Sequence, residues 1–185
     1  MSFTPFAFNK SRLHLALYAR GGAQTADREG YHWALIVGPK HEGEKSRGVR
    51  LHAKERVLPG GTKEWFFEER DISVTATHML LIRITIAKVL RMERTLEILR
   101  AVPVKPEISG WTCKSWVQEA IALLDADGEA LGKRVMDWNK VSEKAVSYCD
   151  EKKAASRFCG EGDFDPKYPP TFDLMEGDEG KEVVP

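Results

Sequence analysis

The sequence predicts an α+β fold, a small and mostly antiparallel sheet of about five strands packed against helices. Three observations predict it. Apolar residues alternate at period two in most of the runs up to Ala87. From Met92 onward the apolar spacing lengthens to three and four residues. Glycine and proline clusters separate the runs, so the chain turns between short elements.

The first strand covers Arg12 to Ala19, where Leu13, Leu15 and Leu17 alternate with His14, Ala16 and Tyr18. Gly21-Gly22 and the polar residues up to Gly30 read as a loop. Tyr31 to Val37 is rich in strand formers and closes at Gly38-Pro39. Beyond a charged loop, Val49, Leu51 and Ala53 alternate with Arg50, His52 and Lys54 in a third strand running to Val57. Pro59-Gly60-Gly61 turns the chain, Trp65-Phe66-Phe67 lies in a fourth strand, and Met79 to Ala87 forms a fifth.

Helices follow. Met92, Leu96 and Leu99 share one face of a helix over residues 91–101, with Arg100 near its end and Pro103 beyond. Gly110 breaks the backbone, and Thr112 supplies an N-cap for a helix over residues 112–124 that ends near Asp127-Gly128. A last amphipathic helix is expected between Asn139 and Phe158, outside the core made by the sheet and the first two helices. Residues 160–185 carry eight acids against two lysines, a net of −6, together with Pro166, Pro169 and Pro170. With little to bury, this acidic stretch is expected to be an extended or disordered tail.

A chain of 185 residues suits one domain able to bury its own core. Lys+Arg 28 balances Asp+Glu 28, so bulk charge does not point to nucleic acid. The three cysteines, at 113, 149 and 159, form neither a disulfide framework nor a CxxC zinc pair. No basic-then-apolar leader and no bilayer-length apolar run is present, so no membrane span and a cytoplasmic location with reduced thiols are expected. Asp125-Ala126-Asp127 suggests the start of a calcium loop. Ala130 and Met136 stand where such a loop needs Gly and Glu, which rules it out. No metal or other cofactor is expected.

The chemistry concentrates at Cys113. In the first turn of a helix, unpaired backbone N–H groups and the positive end of the dipole favour a thiolate, the form that attacks carbonyls. The candidate base is His32, in the strand Tyr31-His32-Trp33-Ala34-Leu35. His52 lies at a similar depth in the next strand, and antiparallel pairing would make the two imidazoles cross-strand neighbours, one holding the other's tautomer. Trp111, two residues before the thiol, is placed to wall a pocket. The plainer alternatives are a core histidine satisfied by one hydrogen bond, a cysteine buried by packing, and two histidines forming half of a metal site. Cys149 and Cys159, in the last helix with no histidine near them in sequence, serve as structural or exposed thiols for comparison.

Tyr31-His32-Trp33-Ala34-Leu35 on one strand, His52 on the next, and Trp111-Thr112-Cys113-Lys114-Ser115-Trp116-Val117 opening a helix resemble the circularly permuted papain-like (NlpC-type) superfamily. Its members include the lecithin:retinol acyltransferase-like enzymes and the PPPDE peptidases. The layout is also similar to that of uncharacterised fungal proteins. Thr112 and Trp116 stand where those families usually carry Asn and Phe. The resemblance implies a permuted papain-like domain over residues 1–159. It also implies a cofactor-independent thiol hydrolase or acyltransferase acting on an amide, ester or thioester of a small molecule or peptide. In it Cys113 is the nucleophile, His32 the general base, His52 the orienting residue, and Tyr18 and Trp111 pocket residues. A non-catalytic binding module on the same fold is the alternative.

Overall fold

Alternation decides which way each strand faces. A computed structural model describes residues 10–20, 30–77, 79–160 and 162–185; the loop expected at 21–29 and His78 lie outside them. In β1 (Ser11–Ala19), Leu13, Leu15 and Leu17 are fully buried in the main core, while Ala16 and Tyr18 join a smaller apolar cluster. In β2 (Tyr31–Pro39) the odd positions Trp33, Leu35 and Val37 likewise enter the main core, and Ala34 and Ile36 enter the smaller cluster. The sheet therefore has one face under the helices and one facing away from them.

Three successive antiparallel pairings join β1 to β2, β2 to β3 (Arg47–Val57), and β3 to β4 (Lys63–Ser73). β5 (Leu80–Val89) then returns to the free side of β1, also antiparallel. The chain continues through α1 (Met92–Ala101), α2 (Cys113–Asp127), the short β6 (Leu131–Arg134) against β5, and α3 (Trp138–Ala154). A 3-10 turn at Arg157–Cys159 leads to β7 (Thr171–Asp173) and β8 (Lys181–Val184). The result is a mixed α/β structure with an open, mostly antiparallel sheet of eight strands in the order β4-β3-β2-β1-β5-β7-β8, β6 pairing with β5 beside that path.

Two expectations are corrected. The acidic segment from 160 onward is not a tail outside the fold: β7 runs parallel to β5, with Arg83 opposite Thr171, and β8 pairs outside it. Thr171, Leu174 and Met175 are buried there. One of the acids that suggested disorder, Glu182, has partners far away in the chain. Glu182 accepts a 2.5 Å hydrogen bond from the Tyr148 hydroxyl and forms an ion pair with Lys152. Nor does the last helix lie outside the core. Val141, Ala145, Tyr148 and Cys149 are buried in the same cluster as the β1 leucines, and Tyr148 packs on Phe172 of β7. The strand count exceeds five because β6, β7 and β8 are too short to show an alternation of their own. Among the described residues, no helix is long and apolar enough to cross a membrane.

Candidate active site

The site is assembled at the start of α2. Gly110 takes a left-handed φ of 76°, open to glycine without a Cβ clash, and the Trp111 N–H closes a turn onto Ile108 O at 3.1 Å. Thr112 then caps the helix. Its Oγ1 accepts from the Lys114 N–H at 3.3 Å, and Ser115 Oγ accepts from the Thr112 N–H at 3.2 Å, completing a capping box. Cys113 is thereby the first helical residue, where its own N–H has no acceptor within the helix.

The β2–β3 register pairs Leu35 with Leu51 and Ile36 with Arg50. Continued outward, it sets His52 one step from His32 along the same face, a diagonal pair within reach of ring side chains. The rings lie 4.7 Å apart, nearly perpendicular, and His32 Nε2 is hydrogen-bonded to His52 Nδ1. The β3–β4 register places Glu68 directly opposite His52, and His52 Nε2 donates to Glu68 Oε2 at 2.8 Å. Arg50 reaches the same carboxylate oxygen at 3.0 Å, and Lys54 lies 3.6 Å from the other.

This chain of three orders the protons. A carboxylate only accepts, so His52 carries its proton on Nε2 and its Nδ1 is an acceptor. His32 must then donate from Nε2, which leaves the lone pair on His32 Nδ1 as the free base. Burial, then the nearby His52, Arg20, Arg50 and Lys54 charges, push His32 down to about 3. Burial likewise pushes His52 down to about 4, although the hydrogen bond to Glu68 pulls the other way. The contact distance alone suggests an ion pair, but removing an imidazolium from water costs more than this half-exposed carboxylate returns, so both rings are neutral at pH 7. Burial would raise Glu68; hydrogen bonds from His52 and Arg50 and the charge of Lys54 overcome it and hold the carboxylate at about 2.

Cys113 comes to the other end of this chain without joining it. Its side chain is fully buried, and Sγ accepts from the backbone N–H of Trp33, the residue after His32, at 3.5 Å. Arg20 Nη2 donates to the same sulfur at 3.7 Å. Among the described residues no hydrogen bond links Sγ to a His32 nitrogen. The cleft beside it, of about 750 Å³, is lined by Tyr18, Arg20, His32, His52, Trp111 and Thr112, and not by Cys113 itself. Trp111 forms one wall, edge-on to Trp65 at 5.4 Å, and its buried indole N–H has no partner among the described residues. Both pocket residues expected from the sequence, Tyr18 and Trp111, thus line the cleft.

The comparison thiols behave differently. Cys149 is buried, and burial pushes it up to about 11, while Cys159 is exposed. The histidines spend their facing nitrogens on each other. Among the described residues, no group of three or more His, Cys, Asp or Glu side chains is arranged to hold a metal ion.

Glu68, Arg20 and Arg50 complete the arrangement and were missed in reading the sequence. For Glu68 the signal was present. A hairpin turning at Pro59-Gly60-Gly61 reflects His52 onto Glu68, so the predicted turn already implied the third member. Arg20 had no such signal, because its contact to Cys113 spans the sheet and a helix. The model of a family of unknown function, DUF6914, matches residues 10–183. No curated protein and no solved structure matches the chain.

Proposed function

The chain belongs to the DUF6914 family, whose function is unknown, and from its site we propose a cofactor-independent cysteine hydrolase or acyltransferase of permuted papain-like type. The observation that carries the reading is the His32–His52–Glu68 chain, which leaves one unprotonated imidazole nitrogen at the strand position adjoining the Cys113 sulfur. Cys113 Sγ attacks the acyl carbon while its proton passes to His32 Nδ1. The tetrahedral oxyanion is met by the Cys113 backbone N–H at the helix start. Collapse expels the leaving group, which takes the proton from His32. Water, or an alcohol or amine in acyl transfer, then attacks the thioester, gives its proton to His32, and the thiol is regenerated. Glu68 and His52 do not react; they hold the His32 tautomer and stabilise its imidazolium.

Arg20 has two roles in this reading. It covers the sulfur in the resting structure and must withdraw before an acyl group can enter. With Arg50, Lys54 and Lys63 against Glu55 and Glu68, it also leaves the cleft net cationic, which favours acyl substrates bearing a negative charge. A reducing compartment such as the cytoplasm suits three free thiols.

A second reading has its own observation: the sealed sulfur, unbonded to His32, suits a binding module in which Cys113 only packs. A panel of p-nitrophenyl esters and thioesters followed by intact-protein mass spectrometry separates the two. Catalysis gives an acyl adduct on Cys113 and turnover that both Cys113→Ala and His32→Ala abolish. No adduct and no turnover with any ester leaves the binding module, and turnover that survives Cys113→Ala overturns Cys113 as the nucleophile.

A further inference from the structure

On the sheet face away from the helices lies a second cavity, of about 480 Å³, sharing no lining residue with the thiol cleft. We propose that it is a binding site for a small oxyanion group, a phosphate or a carboxylate, held by Arg12 and His14.

Arg12 is 6 % exposed, yet among the described residues its side chain bonds only the neighbouring Ser11 carbonyl, at 3.2 Å. Among the described residues no carboxylate lies within ion-pair reach of it. A guanidinium this little exposed, with no acid beside it, faces the cavity with its charge met by no carboxylate, which leaves an anion in the cavity favoured. His14, two residues along on the same face, has its Nδ1 3.0 Å from Thr85 Oγ1, and its buried Nε2 has no partner among the described residues. Burial, then Arg83 and Arg12, hold His14 well below the usual imidazole range, so the ring is neutral. When the Thr85 hydroxyl donates to Nδ1, the Nε2–H becomes a donor with nothing to bond.

The neighbouring Arg83 shows what a satisfied guanidinium looks like in the same cavity. It grips Glu42 through two nitrogens at 2.7 and 2.8 Å and also bonds Thr171 Oγ1. Glu42 is therefore spent. Asp173 accepts from the Met175 N–H at 2.8 Å, and Glu176 stands on the exposed rim. Lys40 adds a further cation at the mouth. What the cavity lacks is an acceptor group with two or more oxygens for a planar fork and one imidazole N–H, which phosphate and carboxylate both provide.

The test uses the full chain, with inorganic phosphate and acetate titrated separately at constant ionic strength against chloride. Binding is followed by calorimetry, thermal unfolding and the His14 ring ¹⁵N signals. The expected result is a saturable rise in melting temperature and a shift of the His14 Nε2 signal with at least one anion. Arg12→Gln abolishes both effects. Arg12→Lys, which keeps the charge and loses the fork, weakens binding about tenfold. Cys113→Ala binds as the parent does. Response to one anion alone assigns the site to that chemistry. If Arg12→Gln does not fold, the Arg12→Lys and His14→Gln titrations decide. No saturable response at millimolar anion, or equal responses in parent and variants, means an adventitious ion only and overturns the proposal.

Discussion

Acid should destabilise this protein well before its carboxylates titrate. His32 and His52 are held at about 3 and 4 in the folded chain, chiefly by burial, whereas a histidine in the unfolded chain titrates near ~6.5. Between those values the unfolded state binds more protons, so stability rises with pH and is lost as pH falls below about 6.5. From pH 7.5 to 5 each fully buried ring costs about 2 kcal/mol. His52 is 2 % exposed and takes the full figure, while His32, open to the cleft, takes somewhat less. The pair therefore contributes about 3–4 kcal/mol by this linkage. His14, farther along the same sheet face, is shifted in the same direction and adds to it. With a urea slope of about 2 kcal/mol/M, the unfolding midpoint drops by roughly 1.5–2 M or more. Tryptophan fluorescence in urea at the two pH values measures it, and His52→Gln should shrink the drop by about half a molar or more. A midpoint that is flat across this range, or a drop untouched by His52→Gln, would show that the rings are not buried neutral and would remove the proton ordering argued for the site.

The remaining predictions concern the sulfur, the carboxylate and the last strands. Arg20→Ala uncovers Cys113, so iodoacetamide labelling of that residue, read by peptide mass spectrometry, rises on the order of tenfold while Cys159 labels as before; an unchanged rate means Arg20 does not guard the thiol. Glu68→Gln frees His52 to adopt either tautomer and should cut acylation of Cys113 on the order of 100-fold with little change in circular dichroism; parent-like acylation would place Glu68 outside the machinery. Leu174→Ala, at a site 4 % exposed beside β7, costs about 2–4 kcal/mol in denaturant unfolding. A cost near zero would return the acidic segment to the status of a detachable tail.

Much of this protein is written in local pattern. The alternation of Leu13, Leu15 and Leu17, the turn at Pro59-Gly60-Gly61 and the Gly110–Thr112 start of α2 each act over a few residues. Period, turn chemistry and capping therefore determined five strands, three helices, the placing of Cys113 at a helix start, and the facing of His32 and His52. Tertiary structure alone decided what depends on partners far apart in the chain. Glu182, in the acidic stretch, looks unpaired until Tyr148 and Lys152 meet it, and β7 finds its partner in β5, so composition argued for disorder where long-range pairing produces strands. The same holds at the sulfur. A spacing of some eighty residues cannot tell whether Cys113 faces an imidazole, a backbone N–H or a guanidinium, because local propensity carries no information about which loop closes over which strand end. Burial and long-range charge, the two influences that set the protonation of His14, His32 and His52, come into being only when the sheet and helices close around them.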